Sequence, residues 1–294
     1  MQLSRFKTGA WQGRDRAEQY HRGTLGAPEI FQRLRHDVYI RYIQRHAAPG
    51  ARILDLGCGT GLIAIALHDL GYKVVACDVS AGMLEKLADD KGDRDIELRR
   101  GDGFAIPAAD REFDMVVSRM FIQHFPDWPQ ILAEKARVTR PGGIVLFDFG
   151  NREHLAACDP DLGVADDFPY ANSEKNPGKF YAVADEAEMR DRAAACGLDV
   201  VQIAPHGLLL YNGFLWKKLG GDGVREFNAR LDSILASPEA SALLLMIEET
   251  LVPLLPKSAC YGNITVLRRG GGRIEPPQPA QRGMFSWLRG AGLK

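Results

Sequence analysis

Three acidic residues stand where short apolar runs end, and the first of them leads into a run of glycines. Asp55-Leu56-Gly57-Cys58-Gly59-Thr60-Gly61 joins the apolar run Arg52 to Leu56 to a helical stretch, Leu62 to Leu70. Glycines at such a junction let the backbone turn tightly and approach a ligand with no Cβ in the way. The helix start behind them offers free N–H groups. Dinucleotide folds place a pyrophosphate on those amides with the spacing G-x-G-x-x-G. Here the spacing is G-x-G-x-G, with a carboxylate two residues before the first glycine. Asp55 repels a pyrophosphate and attracts a cation, directly or through water, which disfavours NAD. Asp78 closes the next apolar run, 21 residues after Gly57. A carboxylate there can accept two hydrogen bonds from ribose hydroxyls. The third acid lies in Gly101-Asp102-Gly103-Phe104. Asp102 can accept from an adenine amino group, with Phe104 beside the ring.

The elements that must position these residues alternate in type. Strands are predicted at Arg52–Leu56, Lys73–Cys77, Ile96–Leu98, Phe113–Ser118 and Ile144–Phe149. Helices are predicted at Leu62–Leu70, Ala81–Ala88 and Trp128–Val138, the last followed by the breaker Pro141-Gly142-Gly143. Strand alternating with helix predicts a parallel sheet covered on both faces. Before it, residues 11–48 read as a helical cap that ends ahead of Pro49-Gly50. After it, residues 150–182 show no period and read as a loop. Helix Asp185–Cys196, strand Leu198–Ile203 and a last strand, Asn263–Leu267, complete the pattern. Residues 208–258 interrupt it with helical segments, Leu231–Leu235 and Ala242–Leu251, split by Ser237-Pro238. The expected organisation is a cap (1–48), a core (49–207 with 259–268), a helical lid or substrate insertion (208–258) and a flexible tail (269–294).

The ordered pieces resemble the class I S-adenosylmethionine-dependent methyltransferases over residues 51–204. They are Ile53 to Gly61, Val75-Ala76-Cys77-Asp78-Val79-Ser80, Gly101-Asp102-Gly103, Phe113-Asp114-Met115-Val116-Val117-Ser118 and Arg140-Pro141-Gly142-Gly143. The stretch from Ile106-Pro107 to Phe113-Asp114 is most similar to the small-molecule enzymes of ubiquinone and menaquinone biosynthesis. The resemblance implies an α/β fold: a Rossmann-like, seven-stranded, mostly parallel sheet with helices on both faces and its last strand antiparallel. It implies S-adenosyl-L-methionine as methyl donor and S-adenosyl-L-homocysteine as product. The Gly57–Gly61 turn, with Asp55, Cys58, Gly59 and Gly61, would hold the methionine moiety and Asp78 the ribose. Met83 would pack on the adenine, or serve only as helix core. Asp102 and Gly103 would read the adenine edge, with Val79, Phe104 and Arg119 completing the cofactor contacts.

Methyl transfer from a sulfonium is an in-line displacement that alignment alone can accelerate greatly. A hydroxyl acceptor also needs a base. His124, in Ser118 to Phe125, follows the fourth strand on the ligand-binding edge; it is either that base or a residue that shapes the loop. Tyr20, in Trp11 to His21, resembles a lid tyrosine that closes over the cofactor; the alternative is an aromatic packing the cap on the core. His21, His36, His154 and His206 can also reach a cleft. A catecholate-type metal site wants adjacent Asp and Asn after the fifth strand, whereas Phe149-Gly150 separates Asp148 from Asn151, so no metal is expected. Asp114 is expected to orient local backbone.

Composition limits the remaining readings. With 46% hydrophobic and 26% charged residues, the 294-residue chain is not disordered. No apolar run approaches the ~18–20 residues of a membrane span, and Met1-Gln2-Leu3-Ser4-Arg5 opens no secretory signal, so a cytoplasmic location is expected. Five scattered cysteines predict free thiols. The charge of −1 divides into +5 over residues 1–48, −10 over 49–268 and +4 over 269–294. No broad basic surface points to nucleic acid. Tyr211, Phe214 and Trp216 in the insertion suggest an apolar, aromatic or lipid-like small-molecule acceptor, or else a homodimer contact. The aromatic, basic segment Gly283–Arg289 is a disordered tail or a membrane-surface contact. Methylation of oxygen is preferred. The alternatives are carbon or nitrogen, or a non-catalytic protein that only binds the cofactor.

Overall fold

The structure, a computed structural model, describes Gly9 and residues 12–22, 30–158, 182–208 and 213–270. Two helices, α1 (Arg14–His21) and α2 (Ile30–His46), precede the sheet. Then follow β1 (Arg52–Leu56), α3 (Leu62–Asp69), β2 (Lys73–Asp78), α4 (Ala81–Asp90), β3 (Ile96–Arg100), β4 (Phe113–Ser118), α5 (Trp128–Val138) and β5 (Thr139–Asn151). The second half adds α6 (Arg152–Cys158), β6 (Val183–Ala184), α7 (Glu186–Ala195), β7 (Leu198–His206), α8 (Gly213–Leu235), α9 (Pro238–Met246) and β8 (Gly262–Arg269).

The sheet runs β3-β2-β1-β4-β5-β8-β7, with β6 paired to β5 off this path. Strands β1 to β5 are parallel, and β8 runs antiparallel to both of its neighbours. The order reverses between β1 and β4, where open α/β sheets bind ligands outside the strands' carboxyl ends. Alternate residues of each strand enter opposite cores. Ile53, Val74, Met115 and Ile144 meet α2, α3 and α9 on one face. Leu54, Val75, Val116 and Val145 meet α5 and α7 on the other. Burial on both faces explains why these strands read as continuous apolar runs.

The structure departs from the sequence expectation in four places. The helical reading of 11–48 resolves into two helices, with 23–29 outside the described residues. Pro141-Gly142-Gly143 lies inside β5 rather than ahead of it, because the β4–β5 register shifts there and Gly143 packs on backbone: a Cβ on it would lie 2.7 Å from the Asp114 carbonyl. Part of the expected loop 150–182 is helix, since the Asn151 side chain accepts from the Glu153 N–H at 3.0 Å and starts α6. Residues 159–181 lie outside the described set. In the insertion, Leu231–Leu235 is only the last turn of the long α8. Ser237 caps α9 with Pro238 in its first turn, and the chain then widens into a π turn, Ile247–Leu251. That turn brings Glu249 onto Arg41 at 2.9 Å and Arg45 at 3.0 Å, which fastens the insertion to α2.

Asp114 orients backbone: it accepts the Arg52 N–H at 2.7 Å and pairs with Arg140 at 2.7 Å. Cys58, Cys77, Cys196 and Cys260 are free thiols. Among the described residues no helix is long and apolar enough to cross a membrane. The tail beyond Gly270, and the side chains of Tyr211, Phe214 and Trp216, lie outside the described set.

Tyr39 joins the cap to the sheet. Its buried hydroxyl lies 2.5 Å from the Ser118 carbonyl and 3.3 Å from that of Leu146, donors and acceptors that no water reaches. Tyr39→Phe leaves a strand-end carbonyl without its donor, and urea unfolding should show a loss of about 1–3 kcal/mol.

Candidate functional site

The glycine run forms a turn that no other residue type fits. Gly57, Gly59 and Gly61 have φ of 73°, 53° and 94°. The N–H groups of Gly57 and Cys58 donate to the Cys77 carbonyl at 2.8 and 3.1 Å, which sews the turn to the end of β2. Asp78 completes the stitching. One carboxylate oxygen accepts the Gly59 N–H at 2.9 Å and the other accepts the Ser80 N–H at 2.9 Å. The Val79 N–H also points to this carboxylate, so backbone donors take three of its roughly four acceptor sites. Burial raises the Asp78 carboxyl above the usual carboxylate range, against the pull of these N–H donors.

Asp55 lies beneath the turn and is almost wholly buried, and its Oδ2 has no hydrogen-bond partner among the described residues. Burial, and then the charge of Asp78, push its carboxyl up to about 7, while the Ala64 N–H and Lys135 act the other way. Lys135 itself is fully buried on α5, with Nζ 2.5 Å from Ser118 Oγ and 4.8 Å above the Phe147 ring. Burial lowers this ammonium to about 7, and Asp148 and Asp55 oppose that shift. The sequence reading missed Lys135, although a lysine on the otherwise apolar stripe Ile131, Leu132, Ala136 and Val138 was a visible signal.

Two aromatic rings close on the glycines. A Cβ on Gly59 would sit 3.1 Å from Tyr20 Cε1. A Cβ on Gly57 would strike Phe121 Cδ2 at 2.3 Å, and one on Gly103 would lie 2.9 Å from Phe121 Cζ. Tyr20 therefore lies against the turn at Gly59. Phe121 was not foreseen. Its ring meets Phe125 at 5.4 Å between centroids, and Phe125 meets Phe104 at 5.5 Å, so Phe104 belongs to an aromatic group beside Gly103. Asp102 accepts the Phe104 N–H at 2.6 Å. Met83 is buried in α4, whose N-terminus is capped by Ser80 Oγ at 3.4 Å. Val79 is half-buried beside it.

Comparison with known proteins matches this geometry. Residues 54–147, from β1 through most of β5, match the family model described as a methyltransferase domain. The chain carries a class I methyltransferase domain. It is 38% identical over 99 residues to a malonyl-[acyl-carrier protein] O-methyltransferase of Serratia marcescens, covering 34% of this chain and 38% of that protein. It is 43% identical over 95 residues to a demethylmenaquinone methyltransferase of Corynebacterium glutamicum strain R, covering 32% of this chain and 40% of that one. The matched stretch thus spans about two fifths of these relatives' length. In fold, the chain is similar to one from the complex between the Haloferax volcanii Trm112 methyltransferase activator and a methyltransferase. The TM-score is 0.57 at 17% identity, covering 90% of this chain and 98% of that one.

Beside the glycine turn, the methyltransferase sheet presents a second group of polar residues. Arg119 follows the end of β4. Met120 has φ of 50°, and its N–H donates to Asp148 of β5 at 2.6 Å. His206 ends β7 opposite Gly262 of β8, and a Cβ on that glycine would lie 3.0 Å from His206 Nε2. Arg35 and His36 approach from α2. Burial and the charge of Arg119 lower His36 to about 3; burial and both arginines lower His206 to about 3. His124 is half-buried at the end of the turn Ile122–His124, whose other two residues are buried, and the Gln123 carbonyl accepts the Ala182 N–H at 2.7 Å. His154 is held by the Ser258 carbonyl at 2.7 Å, and His21 pairs with Asp90 at 3.3 Å.

Helix α1 is seated on α4 by close approach. A Cβ on Gly82 of α4 would lie 2.8 Å from the carbonyl of Gly13, and Arg14 reaches Asp89 at 3.7 Å. Gly82→Leu should lift α1. Amide exchange of Arg14–His21 should then rise roughly tenfold or more, with the β-strand amides unchanged.

Proposed function

We propose that this methyltransferase domain binds S-adenosylmethionine and transfers its methyl group to an oxygen of a small acceptor, releasing S-adenosylhomocysteine. The observation that carries the reading is the unbonded Asp55 Oδ2 beneath a glycine turn. A buried carboxylate of this kind calls for a cationic ligand or a water, and the donor's methionine moiety is cationic. The turn would hold that moiety. Asp78 would take a ribose hydroxyl on its remaining acceptor capacity. Asp102, Gly103 and Phe104 would face the adenine, with Met83 and Val79 flanking it and Tyr20 closing above. The donor supplies a methyl group already activated on a sulfonium.

The chain's own residues then have to align the acceptor and exclude water. Tyr20 and α1 cover the turn, and the α8–α9 insertion fastened to α2 walls the adjoining edge. The named activity of the Serratia marcescens relative supports oxygen over nitrogen or carbon. His124 is the residue proposed as base if the acceptor is a hydroxyl, whose proton must leave. An acceptor that arrives ionised needs none.

Calorimetric titration tests the reading. Wild-type protein should bind S-adenosylmethionine and S-adenosylhomocysteine with micromolar affinity and leave NAD unbound. Asp78→Ala should weaken both adenosyl ligands by roughly tenfold or more, the loss of a charge-assisted hydrogen bond. Folded wild-type protein that binds neither adenosyl ligand, or that binds NAD instead, contradicts it.

A further inference from the structure

We propose that Lys135 is a positioning residue: through Ser118 it sets the turn 119–121 and seats the Phe121 ring against the two loops given to the cofactor. The proposal rests on the methyl-transfer reading above, which makes those loops the cofactor's seat. It begins from a buried ammonium. Lys135 lies on α5 among Ile131, Leu132, Ala136 and Val138, all buried, and is itself wholly buried. Its Nζ donates to Ser118 Oγ at 2.5 Å and stands 4.8 Å from the centre of the Phe147 ring. The charges of Asp148 and Asp55 also bear on it. Taking an ammonium out of water is costly, and a methionine would fill the same space without that cost.

Ser118 is what that ammonium holds. It ends β4 and is gripped from both faces of the sheet. Lys135 reaches its hydroxyl from the α5 side, and Tyr39 of α2 donates to its carbonyl at 2.5 Å from the other. Just beyond, Met120 adopts φ of 50°, left-handed backbone that a side chain disfavours. Such a conformation persists only where its surroundings over-determine it. Here they are the grip on Ser118 before it and the Met120 N–H donated to Asp148 Oδ1 at 2.6 Å. Past Phe121 the chain is fixed again. Ile122 is wholly buried, the His124 N–H donates to the Phe121 carbonyl at 3.0 Å, and the Gln123 carbonyl accepts the Ala182 N–H at 2.7 Å.

The Phe121 ring takes its place from that arrangement. It closes on Gly57 of the glycine turn, where a Cβ would meet Cδ2 at 2.3 Å. It also closes on Gly103, in the loop after β3, where a Cβ would meet Cζ at 2.9 Å. Phe125 packs on it at 5.4 Å between centroids. One ring thus spaces the two loops. A misplacement of about 1 Å can cost an enzyme roughly 100-fold in rate, even when the substituted residue is far from the chemistry. Lys135 touches no ligand in this arrangement. It acts through Ser118, the Met120 turn and the ring they place.

The test separates grip from stability. Ser118→Ala combined with Lys135→Met removes acceptor and donor together, so the double variant should unfold in urea at the wild-type midpoint or above it. It should nevertheless bind S-adenosylhomocysteine roughly tenfold more weakly than the wild type. Lys135→Met alone should bind as weakly as the double variant, because both break one contact and their effects do not add. Lys135→Gln keeps an N–H and should recover part of the loss. A 4-fluorophenylalanine at position 121 reports the ring directly. The wild type should give one fluorine resonance, and the double variant a displaced or divided one before any ligand is added. A double variant that binds S-adenosylhomocysteine within about twofold of the wild type overturns the proposal. Weaker binding with an unmoved fluorine resonance also overturns it, and makes the charge of Lys135 the cause rather than the place of Phe121. A double variant whose stability and affinity fall together, or that does not fold, overturns it and leaves Lys135 a structural residue. Wild-type protein that fails to bind S-adenosylhomocysteine brings down the methyl-transfer reading itself, a result distinct from all of these.

Discussion

A carboxylate buried under a glycine turn with one oxygen unbonded is the constraint on which this structure turns. Water does not reach Asp55, and the charged form is penalised, so its carboxyl titrates near 7 instead of at its ordinary 3.8. Because the folded-state value is raised, ionising Asp55 costs stability as pH climbs from about 4 to about 7. The fold limits this cost. The Ala64 N–H at the start of α3 points to the carboxylate, and a buried ammonium, Lys135, stands behind it. Asp78 works the other way, since its own charge raises Asp55 further, yet Asp78 is needed to hold Gly59 and Ser80 in place. A site with two acids this close and this dry is poised for a cation.

The enclosure around that site is assembled from distant parts of the chain. Tyr20 comes from α1, seated on Gly82. Arg35 and His36 come from α2, and Tyr39 on the same helix ties the cap to the ends of β4 and β5. The π turn at Ile247–Leu251 fastens the insertion to α2 through Glu249. The sheet fixes the turn through the Cys77 carbonyl and the Asp78 carboxylate at the end of β2.

Local chemistry was legible in the sequence, and long-range approach was not. The glycine spacing with Asp55, Asp78 and Asp102 could be read because each acid sits at or just past a strand end, beside a turn. Tyr20 was singled out only by resemblance, and its ring lies against Gly59, far along the chain, in no local pattern that spacing reveals. Phe121 escaped notice because its partners, Gly57 and Gly103, lie on two other loops. His206 was one histidine among several until Gly262, on a strand late in the chain, left room for its ring. Lys135 lay in a helix whose apolar stripe should have made it conspicuous. Pro141-Gly142-Gly143 read as a breaker because composition alone cannot show a register shift inside a strand.

The most direct test counts the protons that leave when S-adenosylmethionine binds. Calorimetry near pH 6.5, in buffers of different ionisation heat, gives that number for the wild type and for Asp55→Asn. A cation settling against Asp55 must lower its raised pKa, so the wild type should release a clear fraction of a proton. Asp55→Asn, which has no proton there to give, should lose that fraction. Binding with no proton release in the wild type, or with equal release in the variant, would mean that Asp55 does not meet the donor's charge and that the site is organised around some other group.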